Sequence, residues 1–279
     1  MPIAFYRQGP TMNFSATTAK ACTIAIVGLI AANPLSGVTH AHAQDQASGA
    51  AQPGIVFELG LAGKVTPRYF GASDLILSPV PLFRLKRLTF PNGFTIGGGS
   101  DEGFSLSPSL DIISKRSTSD SPELVGLNTI DTAYEVGVAA KYQIGHFRVM
   151  GEIRSGFGGH EGFRGELGAD IIVKPDEFWT FHGGPRLEFA DDTFTNTYFG
   201  VTAAEASPLY PTTVAGGGLI SAGVEAGVRY QMDQNWAIEA GAGWSRLTGD
   251  AAKSPITAQG SKNQFSLSFG VMRKFDIAF

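Results

Sequence analysis

From residue 264 to the end, the chain places apolar side chains at every second position. Phe265, Leu267, Phe269, Val271, Phe275, Ile277 and Phe279 share one parity, interrupted by Arg273. Gln264, Ser266, Ser268, Gly270, Met272, Lys274, Asp276 and Ala278 hold the other. A period of two puts alternate side chains on opposite faces of a strand, so a one-residue slip would reverse both faces at once. The same period runs backward through the chain. Trp236, Ile238, Ala240, Ala242 and Trp244 oppose Glu239, Gly241, Gly243 and Ser245. Tyr134, Val136, Val138, Ala140 and Tyr142 oppose Glu135, Gly137, Ala139 and Lys141. Phe163, Leu167, Ala169, Ile171 and Val173 oppose Arg164, Glu166 and Asp170.

A soluble β-sandwich alternates too, with its apolar face inward. A membrane barrel inverts the pattern, turning apolar residues to lipid and polar ones to the lumen. Three features favour the barrel. The strands approach the ~9–11 residues that cross hydrocarbon. Aromatic residues close the strands, as Tyr134 and Tyr142 or Trp236 and Trp244 do, where ring side chains settle at an interface. Charges of both signs mix with glycine on the polar parity. Only 16% of the chain is charged, below a soluble globule, and mean hydropathy is near zero at +0.04. The expected fold class is all-β, an antiparallel transmembrane β-barrel over residues 54–279 with about twelve strands, in a range of about ten to fourteen. Strands are expected to begin near residues 55, 79, 93, 103, 131, 146, 162, 178, 197, 217, 235 and 264. That register makes the 232–235 turn periplasmic and segments 205–216 and 249–263 external. It also sends 113–130 to the periplasmic side and the Gln143–His146 turn to the external side.

The first 43 residues read as a secretory signal. Arg7 and Lys20 are their only basic residues, no acid precedes Asp45, and an apolar run covers Ala21 to Ala32. The run falls short of the ~20 residues that span a bilayer, although an uncleaved anchor helix is the competing reading. Ala41-His42-Ala43 supplies a small-x-small site for cleavage between Ala43 and Gln44, leaving 44–53 as a periplasmic tail. Met12 is a second possible start and changes nothing here. The single cysteine, Cys22, stands at the start of the apolar run rather than after it, so lipidation is not expected and the mature chain has no thiol. Losing Arg7 and Lys20 takes the formal charge from −4 to −6, which argues against nucleic acid as a partner.

The chemistry-bearing residues are sparse. His146, His160 and His182 are the histidines of the mature chain. His160 beside Glu161 is the best base-and-orienter pair, but no nucleophile accompanies it. Asp191-Asp192 and Asp101-Glu102 could attract calcium, yet acidic turn tips are ordinarily just solvated, and no zinc or EF-hand spacing occurs. Gly97-Gly98-Gly99-Ser100 lacks the lysine of a phosphate loop. No enzymatic activity, metal or cofactor is expected. Outer-membrane lipid is the one partner the pattern itself implies. The aromatic terminus Phe275, Ile277 and Phe279 resembles the signature read when outer-membrane barrels are inserted. Mixed lumenal charges would either line a pore or pair across a narrow lumen, and the cost of an unpaired buried charge favours pairing.

A set of ordered motifs then stands out. Pro67-Arg68-Tyr69-Phe70-Gly71-Ala72-Ser73 comes first, followed by Pro79-Val80-Pro81. Tyr198-Phe199-Gly200-Val201 precedes Ala206-Ser207-Pro208-Leu209-Tyr210. Trp236 follows, then Arg246-Leu247-Thr248-Gly249-Asp250-Ala251 and Ser254-Pro255-Ile256. Across nearly all the mature chain this set resembles the MipA/OmpV family of outer-membrane proteins. The resemblance implies a structural protein of the Gram-negative outer membrane that tethers a lytic murein transglycosylase together with a bifunctional penicillin-binding protein. Other members are described as porin-like or adhesive, which keeps a small channel or an adhesin as alternatives. A tension follows: the motif-bearing loops point outward in this topology, away from periplasmic enzymes.

Overall fold

A computed structural model describes residues 52–97 and 102–279. The proposed signal peptide and most of the tail lie outside the described residues, as do three of the four residues of the Gly97–Ser100 run. Eleven strands follow one another: β1 (Gly54–Pro67), β2 (Leu75–Thr89), β3 (Thr95–Gly97), β4 (Gly103–Ile113), β5 (Ala133–Ile144), β6 (Phe147–Gly158), β7 (Phe163–Val173), β8 (Trp179–Ala190), β9 (Gly218–Gln231), β10 (Trp236–Leu247) and β11 (Asn263–Ala278). They form one sheet in the order β3-β2-β1-β11-β10-β9-β8-β7-β6-β5-β4. Every pairing is antiparallel, and the sheet curls until β2 and β3 lie against β4. The last strand closes on the first, Ile55 opposite Ile277 and Val65 opposite Leu267.

The alternation read from the sequence sorts as a membrane barrel requires. Leu61, Leu77, Phe104, Leu110, Val136, Ile153, Leu167, Phe265 and Phe269 are exposed on the outer face. Glu58, Glu135, Arg154, Arg164, Asp170 and Arg186 are buried inside. Arg273, the charge that interrupts the apolar parity of β11, lies over the rings of Trp236 at 5.4 Å and Phe275 at 5.3 Å. Its guanidinium gains a cation–π contact there while its stem covers apolar surface.

The strand count differs from expectation in two places. Between β3 and β4 the sheet order contains an even number of reversals, so the two strands run the same way. Strands near residues 93 and 103 are therefore present, but they do not alternate in direction as two successive crossings would. The strand expected near residue 197 is instead helix α1 (Asp192–Phe199). The Asp191 carboxylate accepts from the Phe194 N–H at 2.8 Å and caps the helix, while Thr195, Asn196 and Thr197 bond back to carbonyls four residues earlier. The Asp191 cap and the burial of Phe194, Tyr198 and Phe199 favour the helix.

These two miscounts cancel beyond residue 197 but not before it. Connections 68–74, 114–132, 159–162, 191–217 and 248–262 share one rim; turns 90–94, 145–146, 174–178 and 232–235 share the other with both ends of the sheet. Barrels place short turns and termini in the periplasm and long loops outside. Segment 113–130 is therefore external and the Gln143–His146 turn periplasmic, the reverse of the expectation. Segments 205–216 and 249–263 stand on the external rim as expected.

The external cap and the charged lumen as the candidate functional site

The long connections fold into a cap with an apolar core of its own. Two short helices, α2 (Gly249–Lys253) and α3 (Pro255–Ala258), join α1 there. Phe194, Tyr198 and Phe199 of α1 are at most 2% exposed and pack with Ile130, Ala215, Ile220, Leu247 and Ala251. Phe70 meets Phe194 and Tyr198 edge-on at 5.5 and 5.0 Å. A second cluster holds Tyr69, Ala72, Leu124, Leu127, Val201, Tyr210 and Ile256. Polar groups tie the loops across long sequence distances. Ser254 Oγ donates to the Phe199 carbonyl at 2.7 Å and accepts from the Ile256 N–H. Arg116 Nη1 donates to the Tyr198 carbonyl at 2.8 Å. The hydroxyls of Tyr69 and Tyr210 both donate to Glu123, at its carboxylate and its carbonyl. Burial, then the neighbouring Glu123, pushes both phenols upward in pKa.

Most of the ordered motifs build this cap; Pro79-Val80-Pro81 stands instead in β2, and Trp236 opens β10 at the opposite rim. Gly71 holds φ +90°, a left-handed conformation that suits glycine, and a Cβ there would stand 2.8 Å from Thr257 Oγ1. Val201 bridges Thr213, after Gly200 ends α1. Ser207 Oγ accepts from the Tyr210 N–H. Gly249 has φ +54°, and Asp250 accepts from the Gly216 N–H and from Lys253. Pro255 begins α3, where a missing N–H costs nothing. Arg246 bonds Asn263 across the β10–β11 pair at the cap's edge.

Below the cap the lumen is crossed by ion pairs. Near the periplasmic rim, Arg84 and Arg229 each reach both Glu58 and Glu239 at 2.6–2.8 Å. A second group centres on Asp170, which takes Arg148 at 2.5 Å and Arg186 at 2.8 Å. Under the cap, Arg164 pairs with Glu135 at 2.7 Å, Glu188 at 2.8 Å and Asp111. Glu135 also receives Arg154 at 2.9 Å, and Arg154 pairs with Glu152. The Arg164 guanidinium stands 5.8 Å from the rings of both Phe70 and Phe194, so the uppermost charges touch the underside of the cap.

His160 belongs to this junction rather than to a catalytic pair. It does not engage Glu161. Its Nε2 lies 3.2 Å from Glu135, its Nδ1 accepts from the Gly162 N–H, and its ring packs edge-on against Phe194 and Tyr198. Gly156 leaves room for it, since a Cβ there would stand 2.0 Å from the imidazole. Asp191 is spent as a helix cap. Among the described residues no group of three His, Cys, Asp or Glu is arranged to hold a metal; Asp101 lies outside them. The terminal Phe275, Ile277 and Phe279 stand at the β1–β11 closure, where the Phe279 N–H donates to the Pro53 carbonyl. What the sequence missed is the charge cluster around Glu135. Its members were visible as polar parity, but Glu135 lies opposite Gly156, not Arg154, so strand order alone does not pair them.

A curled antiparallel sheet, apolar toward lipid, ion-paired within, and carrying long loops on one rim, is an outer-membrane β-barrel. The chain belongs to the family described as MltA-interacting protein MipA, whose model matches residues 59–275. No curated protein sequence matches it. Among solved structures it is similar to an outer-membrane channel from Pseudomonas putida F1 at 12% identity, covering 84% of this chain and 100% of that one with a TM-score of 0.39. It is similar to the N-terminal barrel domain of Pseudomonas aeruginosa OprF at 12% identity, covering 80% and 100% with a TM-score of 0.31. Neisserial surface protein A gives 14% identity, 79% and 97% coverage, and a TM-score of 0.28. None of the three says anything about this chain's activity.

Proposed function

We propose that this barrel is a non-enzymatic structural protein whose periplasmic rim tethers peptidoglycan-remodelling enzymes, a lytic transglycosylase together with a penicillin-binding protein. Membership of a family described by its interaction with MltA is the observation that carries the reading. The cap supports it indirectly. Because the ordered motifs serve to pack the external loops, they are no longer needed as an outward binding surface, and the tension over their direction falls away. The surfaces left for periplasmic enzymes are the turns 90–94, 145–146, 174–178 and 232–235 and the tail 44–53. Lumenal ion pairs and the cap favour a structural role over conduction, because permeant ions would have to displace paired charges.

Capture of envelope proteins by the purified, membrane-embedded chain tests this directly. A murein hydrolase and a penicillin-binding protein should be retained, and replacing the four periplasmic turns with Gly-Ser sequence should release them. Retention of neither enzyme by the intact protein, together with steady single-channel conductance in a planar bilayer, would replace the scaffold reading with the channel reading.

A further inference from the structure

The barrel wall has a seam. Among the described residues no ladder joins β2 to β4, although the strands are neighbours. In an antiparallel pair each residue turns its N–H and C=O toward one neighbour or the other, in alternation. A proline inside an intact ladder must therefore turn its nitrogen away from the paired strand. β2 is laddered to β1 through Pro79, opposite Gly63, and Pro81, opposite Leu61; β4 is laddered to β5 through Pro108, opposite Val138. All three nitrogens thus face the seam, and three donors that would close it are missing. Pro185 shows the effect within the same wall. The β7–β8 ladder that runs past it skips from Gly168 opposite Arg186 to Ile171 opposite Gly183.

Behind the seam and under the cap lies a cavity of about 280 Å³. Ile76 and Val80 of β2, Ile113 of β4 and Phe70 of the cap give it an apolar side. Lys64 lines it too, registered between Ser78 and Ser268. Among the described residues Lys64 makes no ion pair. Asp111, which feels its charge, is already bound by Arg164. Arg68 and Arg116 of the cap also line the cavity and make no ion pair among the described residues. A chamber apolar on its seam side, with Lys64 on the adjoining strand and further cations above it, suits a ligand with one fatty chain and an anionic head. Its volume lies at the low end of small-molecule pockets, about 300 Å³, which fits one chain rather than two. We propose that the β2–β4 seam is a lateral doorway from the bilayer into this chamber, and that the chamber binds a single-chain anionic amphiphile with its head at Lys64.

Doxyl-labelled stearic acid added to phosphatidylcholine vesicles containing the full barrel tests this by electron spin resonance. An immobilised component should appear and should be displaced by lauric acid but not by lauryl alcohol. Lys64→Ala should weaken binding about tenfold, the scale of one charge-assisted contact. Val80→Trp, which fills the chamber, should abolish it. The triple variant Pro79→Val, Pro81→Val, Pro108→Val restores three donors and should close the doorway, removing the immobilised component. Should the triple variant not fold, the Lys64 and Val80 variants decide the matter. Wild-type spectra in both would show that lipid binds only the outer surface and would overturn the proposal. A folded triple variant that binds as the wild type does would overturn the doorway.

Discussion

The cap and the wall beneath it solve opposite problems with the same chain. In the wall, Leu61, Leu110 and Phe269 face outward and Glu135, Arg154 and Arg164 face inward. In the cap, Phe194, Phe199, Tyr210 and Ile256 are fully buried at 0% exposure, and polar groups sit at the ends of helices and turns. The cap obeys the hydrophobic effect of a soluble domain, in which removing apolar surface from water drives packing. The wall answers to a solvent in which apolar surface is at ease and every backbone polar group must be paired within the sheet. The difference teaches where each region is vulnerable. Ladder closure governs whether the wall exists at all, whereas side-chain packing governs whether the cap stays shut.

The largest effect should come from the closure. Deleting Phe279 removes the residue whose N–H meets Pro53 and the end of the β1–β11 ladder. If the terminal aromatic is an assembly signal, the variant should fail to insert and should be degraded or aggregate in the periplasm. Normal outer-membrane levels on a fractionated envelope blot would break this half of the comparison. An ordinary buried aromatic in a soluble sheet costs only about 3–5 kcal/mol when truncated.

Next comes the core of the cap. Phe194→Ala should destabilise the cap by about 3–5 kcal/mol and leave the wall intact. Limited proteolysis should then cut within 191–217, while far-ultraviolet circular dichroism stays β-type and gel mobility still changes only on boiling. Simultaneous loss of both would show that cap and wall are one cooperative unit.

A smaller step is Asp191→Ala, which removes the cap of α1. The expected loss is about 1 kcal/mol, read as the same cleavage appearing at higher protease concentration. An Asp191→Asn variant should restore most of the protection, because asparagine also accepts from the Phe194 N–H.

The smallest effect is one of pH. Burial raises the Glu205 carboxyl, but the Thr202 hydroxyl and the N–H groups of Asn128 and Thr202 outweigh it and hold the group below its ordinary value. A carboxyl lowered in the folded state stabilises above its unfolded pKa, and that stability is lost as pH falls through the folded value. Acidification below the ordinary glutamate range should thus loosen the join between 128 and 202–205 and speed amide exchange there. Glu205→Gln should remove this pH dependence. An identical acid response in both would assign it to other groups.

Alternation with period two determined much of this protein before any coordinate existed. It set the all-β class and which residues face lipid, whereas the rim of 205–216 and 249–263 came out as expected because two errors in the strand count offset each other. Class and facing follow from local sequence because side-chain direction in a strand depends only on parity. Tertiary structure alone decided the rest. The fate of 191–199 turned on the burial of Phe194, Tyr198 and Phe199 against Ile130, Ile220 and Leu247, and only the sheet order shows that β3 and β4 run the same way. The motifs at Tyr69, Gly71, Tyr198–Val201, Ser207, Arg246–Asp250 and Ser254–Pro255 are scattered along the chain, and only folding shows that nearly all of them meet in one cap. Likewise the β6–β7 hairpin brings Arg154, His160 and Arg164 to Glu135, and Arg164 reaches on to Asp111 of β4 and Glu188 of β8. Parity tells a side chain which way to face, but register and loop packing tell it whom it meets, and those are set by contacts distant in sequence.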